Sequence, residues 1–504
     1  LKELTFGHDF NHELPNELPN LKELTFGHDF NHELPNELPN LKELTFGHDF
    51  NHELPNELPN LKELTFGHDF NHELPNELLN LKELTFGYYF NQSLFNISVP
   101  KLQILKFGLR FNNKLPKELP NLEELIFGIC FDKSLYHTNL LKLRILQFGN
   151  NFNNKLPNEL PNLEELTFGF NFNQSLLNIN VPKLQILLLG YNFNNNLPKD
   201  LSQLKILKLK AKFNKSLDYV NLSKLEILRF ESDFNCFNNK LPNELPNLKE
   251  LIFGRSFNQS LLNVNVPKLQ ILELSRIFNK DLPRDLSNIK KLIFGPDFNQ
   301  SLSYVNLSKL KILKFGKCFN NKLPKELLSL KVLDIPKKNF IKILKSTNIS
   351  QNLKEVNIFS SGSGDDLDLS KEESCIFNTN LKSCESFNIS ELQDMYHILK
   401  KSNCVITFKK KIIQDVSKCC YNCSSNSSSN DSDDSKLQIY KYDDSDDSDD
   451  SNDYNDSKLQ IYKYDDSDDY NDSKLQIYKS DYIKELKSEN ITHNLKEINI
   501  LSFE

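Results

Sequence analysis

The opening of the chain constrains everything after it: residues 1–20, LKELTFGHDFNHELPNELPN, recur unchanged at 21–40 and 41–60. Residues 61–80 differ only by Leu79 in place of proline. The Phe10-Asn11 pair of this unit returns at Phe90-Asn91, Phe111-Asn112, Phe152-Asn153, Phe172-Asn173 and onward to Phe319-Asn320. Phe131-Asp132 is a substituted copy, and a short insertion near Ser232–Asn235 interrupts the spacing once. Sixteen units spaced by 20 or 21 residues account for the 38 phenylalanines better than several independent folds would. A unit of this length is too short for a helical hairpin and fits a solenoid turn carrying one strand.

Within the unit, Leu4 and Phe6 lie two apart and share a strand face, while Glu3 and Thr5 take the other. Gly7 is expected to leave the strand with positive φ. The Leu14-Pro15 and Leu18-Pro19 pairs suit a return segment, because proline removes a donor that a central strand needs. The fold class expected is a β-rich, leucine-rich-repeat-like solenoid with one parallel strand per 20–21-residue coil. About seventeen coils at ~4.8 Å would extend roughly 80 Å. The asparagine after each phenylalanine is expected to form a buried ladder, its amide bonding loop backbone of the neighbouring coil. Asn-x-Ser matches at Asn173, Asn258 and Asn299 are therefore read as structural, not as glycosylation acceptors.

The recurring FNxxLPxxLPxLxxLxFGxxFN resembles the FNIP repeat family, tandem arrays of amoebal and giant-virus proteins related to leucine-rich repeats. The resemblance covers about residues 1–358. It implies a solenoid used for protein–protein interaction, with host proteins among the partners for a virus protein. Some similar proteins carry an F-box ahead of the array, which implies recruitment of targets to a ubiquitin ligase. Here Leu1 is already the first position of a repeat, so that adaptor role is the alternative, and a decayed reading frame is a further one.

Four segments follow from the pattern: repeats over 1–358, a small Cys-containing module or cap over 359–423, a low-complexity stretch over 424–480, and a tail over 481–504. Residues 360–364 (SSGSG) read as a linker. Six of the nine cysteines lie between Cys375 and Cys423. Cys420-x-x-Cys423 has the spacing of half a zinc knuckle, but no second tight pair exists, so ordinary thiols are the reading. Between Asp431 and Asp472 stand 16 Asp against 4 Lys, a local charge of −12. With a total of −7, the remainder carries +5 and reads as near-neutral. The acidic stretch is expected to be disordered, with three copies of SKLQIYK embedded in it. Residues 483–502 match 341–360 at 14 of 20 positions, so 341–360 reads as a capping coil whose sequence was copied.

The absence of a leader or an apolar membrane span points to a cytoplasmic or nuclear protein with reduced thiols. No basic footprint for nucleic acid is evident. No phosphate loop, nucleophile elbow or H-E-x-x-H is present, so neither an enzyme nor a cofactor is expected. The His8, His28, His48, His68 row and the His12, His32, His52, His72 row are read as a solvated face rather than metal ligands. The outward strand positions are the functional candidates. Glu3, Glu23, Glu43, Glu63 and Glu83 give way to Ile104, Ile145, Ile186, Ile206, Ile227, Ile271 and Ile312, and exposed isoleucines on a sheet mark a partner-binding surface. The uncapped first coil, with Leu1, Leu4 and Phe6, is expected to promote self-association.

Overall fold

A computed structural model describes residues 1–231, 235–336, 347–349, 353 and 355–359, together with five strands between residues 373 and 477. Among these residues no helix is long and apolar enough to cross a membrane. The repeats form a parallel β-solenoid, each contributing a strand of three or four residues such as Glu23–Thr25, Ile104–Lys106 or Ile186–Leu189. Pairing is in register throughout, Leu24 opposite Leu44 and Leu166 opposite Leu187, so each repeat position becomes a column along the array.

Burial follows the sequence pattern. Leu21, Leu24, Phe26, Phe30, Leu34 and Leu38 of one unit all point into the core, as do their counterparts in later coils. The two phenylalanines of a coil stack on one another, with Phe26 and Phe30 ring centroids 3.7 Å apart. Phe30 in turn lies 6.0 Å from Phe50, so two aromatic columns run side by side through the core. In two successive coils Leu189 and Leu209 replace the first phenylalanine, and the aromatic column is single there.

Three local expectations need correction. The glycine column is not selected by left-handed backbone, since no glycine from Gly7 to Gly190 has φ in that region. It is selected by close approach: a Cβ on Gly149 would sit 2.2 Å from the carbonyl oxygen of Gly128, and one on Gly67 would sit 1.6 Å from that of Gly47. Asparagine ladders exist, but on the surface. Asn51 N–H donates to Asn31 Oδ1 at 3.0 Å and Asn194 N–H to Asn173 Oδ1 at 2.9 Å, with Asn31, Asn51 and Asn173 all exposed. The asparagine follows an inward phenylalanine, so its own side chain must face out. Burial therefore gives no ground for setting aside the Asn-x-Ser matches.

The third correction concerns the end of the array. Residues 355–359 pair in parallel with Val332–Pro336, and Val405–Lys410 pairs in parallel with 355–359. Glu373–Phe377 adds an antiparallel edge to Val405–Lys410. The sheet thus continues beyond residue 358, and the strand of the 341–360 coil has neighbours on both sides. The first compact unit extends to Ile413. In the second unit, strands Lys436–Tyr440, Leu459–Tyr464 and Lys474–Ile477 form an antiparallel sheet. The three KLQIY copies share one period-two alternation, which lets identical segments pair with each other. The 360–364 linker, the Cys420–Cys423 pair and the 483–502 copy lie outside the described residues.

Candidate interaction surface

In-register stacking converts each outward repeat position into a row. The third position reads Glu3, Glu23, Glu43, Glu63 and Glu83 on adjacent strands, five carboxylates with no intervening cation. Burial above all, then Glu43 and Glu83, hold the Glu63 carboxyl above its ordinary pKa. From Ile104 the row alternates: Ile104 faces Glu124, which faces Ile145, which faces Glu165, which faces Ile186. Ile186, Ile206 and Ile227 then lie on three consecutive strands. Beyond them Glu250 stands between Ile227 and Ile271, and Lys291 between Ile271 and Ile312.

All seven isoleucines are half-buried. Several charges of this face are engaged across strands beside them. Lys106 bonds Glu124 at 2.9 Å, Lys208 bonds Glu231 at 3.1 Å, and Lys291 bonds Glu273 at 2.8 Å. Arg229 donates to Glu250, which holds the guanidinium pKa above its ordinary value. Among the described residues the longest run of consecutive apolar positions in this row is Ile186, Ile206 and Ile227, and Ile312 with Val332 makes a shorter one. A shallow depression of about 170 Å³ lies between Ile104 and Ile145, rimmed by Gln103, Glu123, Glu124 and Arg144.

A second apolar row was not anticipated from the sequence. On the return segment, Phe95, Tyr136, Leu177, Tyr219, Leu262 and Tyr304 are between 37% and 64% exposed. They stand in every second coil but at two repeat positions: Phe95, Tyr136, Leu177 and Leu262 directly follow the Ser-Leu pair, whereas Asp218 and Ser303 take that place in their coils and Tyr219 and Tyr304 come one residue later. In the intervening coils the Leu-Pro pair occupies this place, with Pro116 and Pro157 buried. The signal was legible: from residue 81 the array repeats every two coils, and the alternation already noted on the strands is shared by the return side. Lys117 Nζ lies 5.4 Å from the Phe95 ring centroid, and a depression of about 420 Å³ brings together Tyr136, Lys155, Asn153, Asn154, Ser134 and Gln174.

Charge is also divided along the array more sharply than the near-neutral total suggests. Residues 1–80 hold 16 acidic and 4 basic side chains, whereas residues 101–336 hold 20 acidic and 34 basic. Summing over the whole body hid an acidic first quarter and a basic remainder.

The histidine rows differ from one another in their bonding. In the second row, His32 Nε2 lies 3.2 Å from the Asn11 carbonyl and His52 Nε2 lies 3.0 Å from that of Asn31. Gln92 makes the same bond to Asn71 O at 2.9 Å, so this row belongs to the loop ladder. In the first row the rings of His8, His28, His48 and His68 stack face to face, with each Nδ1 on an aspartate.

Family models, curated proteins and solved structures give no match to this chain.

Proposed function

We propose that the solenoid is a non-enzymatic scaffold that holds protein partners on the outward faces of its later coils. The observation that carries this reading is the large apolar side chain kept solvent-exposed on the return segment of every second coil, Phe95, Tyr136, Leu177 and Leu262 at one repeat position and Tyr219 and Tyr304 one residue later. Aligned exposed apolar side chains on a rigid array are what a partner surface needs. The Ile186, Ile206, Ile227 strip offers a second contact on the sheet face. The repeat's resemblance to FNIP arrays supports the same role.

The test uses the full chain as bait for proteins in cell lysate. Replacing Tyr136, Leu177 and Tyr219 by aspartate is expected to remove the captured set, while the circular dichroism of the solenoid is retained. Replacing Ile145, Ile186 and Ile227 by lysine assigns the sheet face if that set is lost instead. Retention of every captured protein by both variants refutes the scaffold reading.

A further inference from the structure

We propose that the first histidine row is a divalent transition-metal site of two ions, each bridging adjacent coils. The imidazoles of His8, His28, His48 and His68 stack with ring centroids 4.7, 4.5 and 4.3 Å apart and planes within about 10° of parallel. Because the rings share one orientation, their Nδ1 atoms form a line, and the aspartates form a second line beside it. Asp29 and Asp49 each set one carboxylate oxygen between two imidazoles. Asp29 Oδ1 is 2.7 Å from His28 Nδ1 and 3.8 Å from His8 Nδ1. Asp49 Oδ1 is 2.6 Å from His48 Nδ1 and 3.8 Å from His28 Nδ1. Three triads result, His8-His28-Asp29, His28-His48-Asp49 and His48-His68-Asp69, each with its ligand atoms within 4.8 Å of one another.

Two imidazoles and a carboxylate are a donor set for zinc and its neighbours, which take nitrogen and oxygen at ~2.0–2.2 Å. In the free protein the contacts serve as Nδ1–H···Oδ1 hydrogen bonds. Binding requires each ligating histidine to carry its proton on Nε2, so that the Nδ1 lone pair is free and the carboxylate oxygen turns from acceptor to ligand. The rings and carboxylates are partly exposed, which lets them close on the ion and leaves the remaining coordination position to water. The 16 acidic side chains among residues 1–80 draw dications to this end of the array.

Stoichiometry follows from the overlap. An Nδ1 has one lone pair to give, and neighbouring triads share His28 or His48. The row therefore holds two ions at most, one on His8-His28-Asp29 and one on His48-His68-Asp69. Each ion joins side chains of consecutive coils, so metal should raise the melting midpoint of the array as well as bind.

Zinc titration of the full chain by calorimetry tests this by difference, which cancels any zinc held by the cysteines. His28→Asn or His48→Asn alone should lose one bound ion, and the double variant two. Asn150 already occupies this register, and its carbonyl takes the N–H of Asn171 at 2.8 Å as that of His8 takes the N–H of Asp29. The coil therefore tolerates asparagine there. The His32→Gln, His52→Gln double variant should lose none, because Gln92 is the natural occupant of that register. EDTA should reverse a zinc-induced rise in melting midpoint in the parent and have no effect on the His28→Asn, His48→Asn protein. Equal zinc stoichiometry in the parent and that double variant, or an equal loss in the His32, His52 control, overturns the proposal.

Discussion

Phe172 and Asn173 are adjacent in sequence and separated in energy by the surface of the solenoid. Phe172 is wholly buried, its ring 3.6 Å from Phe168 and about 6 Å from Phe152 and Phe193 in the flanking coils. Phe172→Ala removes an aromatic side chain from a site whose walls are backbone ladders and cannot collapse freely. The expected cost is about 3–5 kcal/mol, as for other buried phenylalanines. Asn173 Oδ1 accepts from Asn194 N–H at 2.9 Å and Asn195 Nδ2 at 3.0 Å, but at the surface. In Asn173→Ala water takes over these donors, so the loss is about 0.5–1.5 kcal/mol rather than the larger cost of a buried orphan. Urea unfolding of the full chain, followed by circular dichroism, separates the two cases. Coils of a solenoid contact only their neighbours, so Phe172→Ala should also broaden the transition by uncoupling the coils on either side. An asparagine loss equal to or larger than the phenylalanine loss would refute the assignment of stability to the aromatic columns.

Gly149→Ala should lower the unfolding midpoint, because its Cβ would meet the Gly128 carbonyl oxygen at 2.2 Å. At an unstrained, open position the same change stabilises by about 0.4–1 kcal/mol, so a raised midpoint would contradict the close-approach argument. Glu63 tests the acidic row. Its folded pKa is raised by burial and then by Glu43 and Glu83, so the folded state takes up the proton more readily than the unfolded one. That contribution to stability is full below the ordinary glutamate pKa and is lost as pH rises through the folded value. Glu63→Gln should therefore raise the melting midpoint at neutral pH, with the gain vanishing below about pH 4; a pH-independent gain would point to packing instead. Removing Lys142, whose Nζ bonds Asn121 Oδ1 at 2.7 Å on the exposed edge, should cost within about 1 kcal/mol by the same urea assay.

The period of 20–21 residues and the spacing of Leu4, Phe6 and Phe10 were enough to determine a parallel solenoid, because only one coil geometry buries all three in every unit. That is a local property, repeated sixteen times, and the sequence carries it in full. Two-coil alternation is also written there, plainest on the strands, where Ile104 and Glu124 stand at one repeat position. Its consequence on the return side, the exposed Phe95 and Tyr136 row, depends on which residue of Ser-Leu-Phe or Ser-Leu-Tyr turns outward. What only the tertiary structure decided are relations between coils. Stacking brings the Gly128 carbonyl against Gly149, and Lys106 together with Glu124 across adjacent strands. It also converts histidines twenty residues apart into ligand atoms within 4.8 Å of each other. No single unit contains these contacts: they arise from the rise between coils, which is fixed by backbone hydrogen bonding at strand spacing.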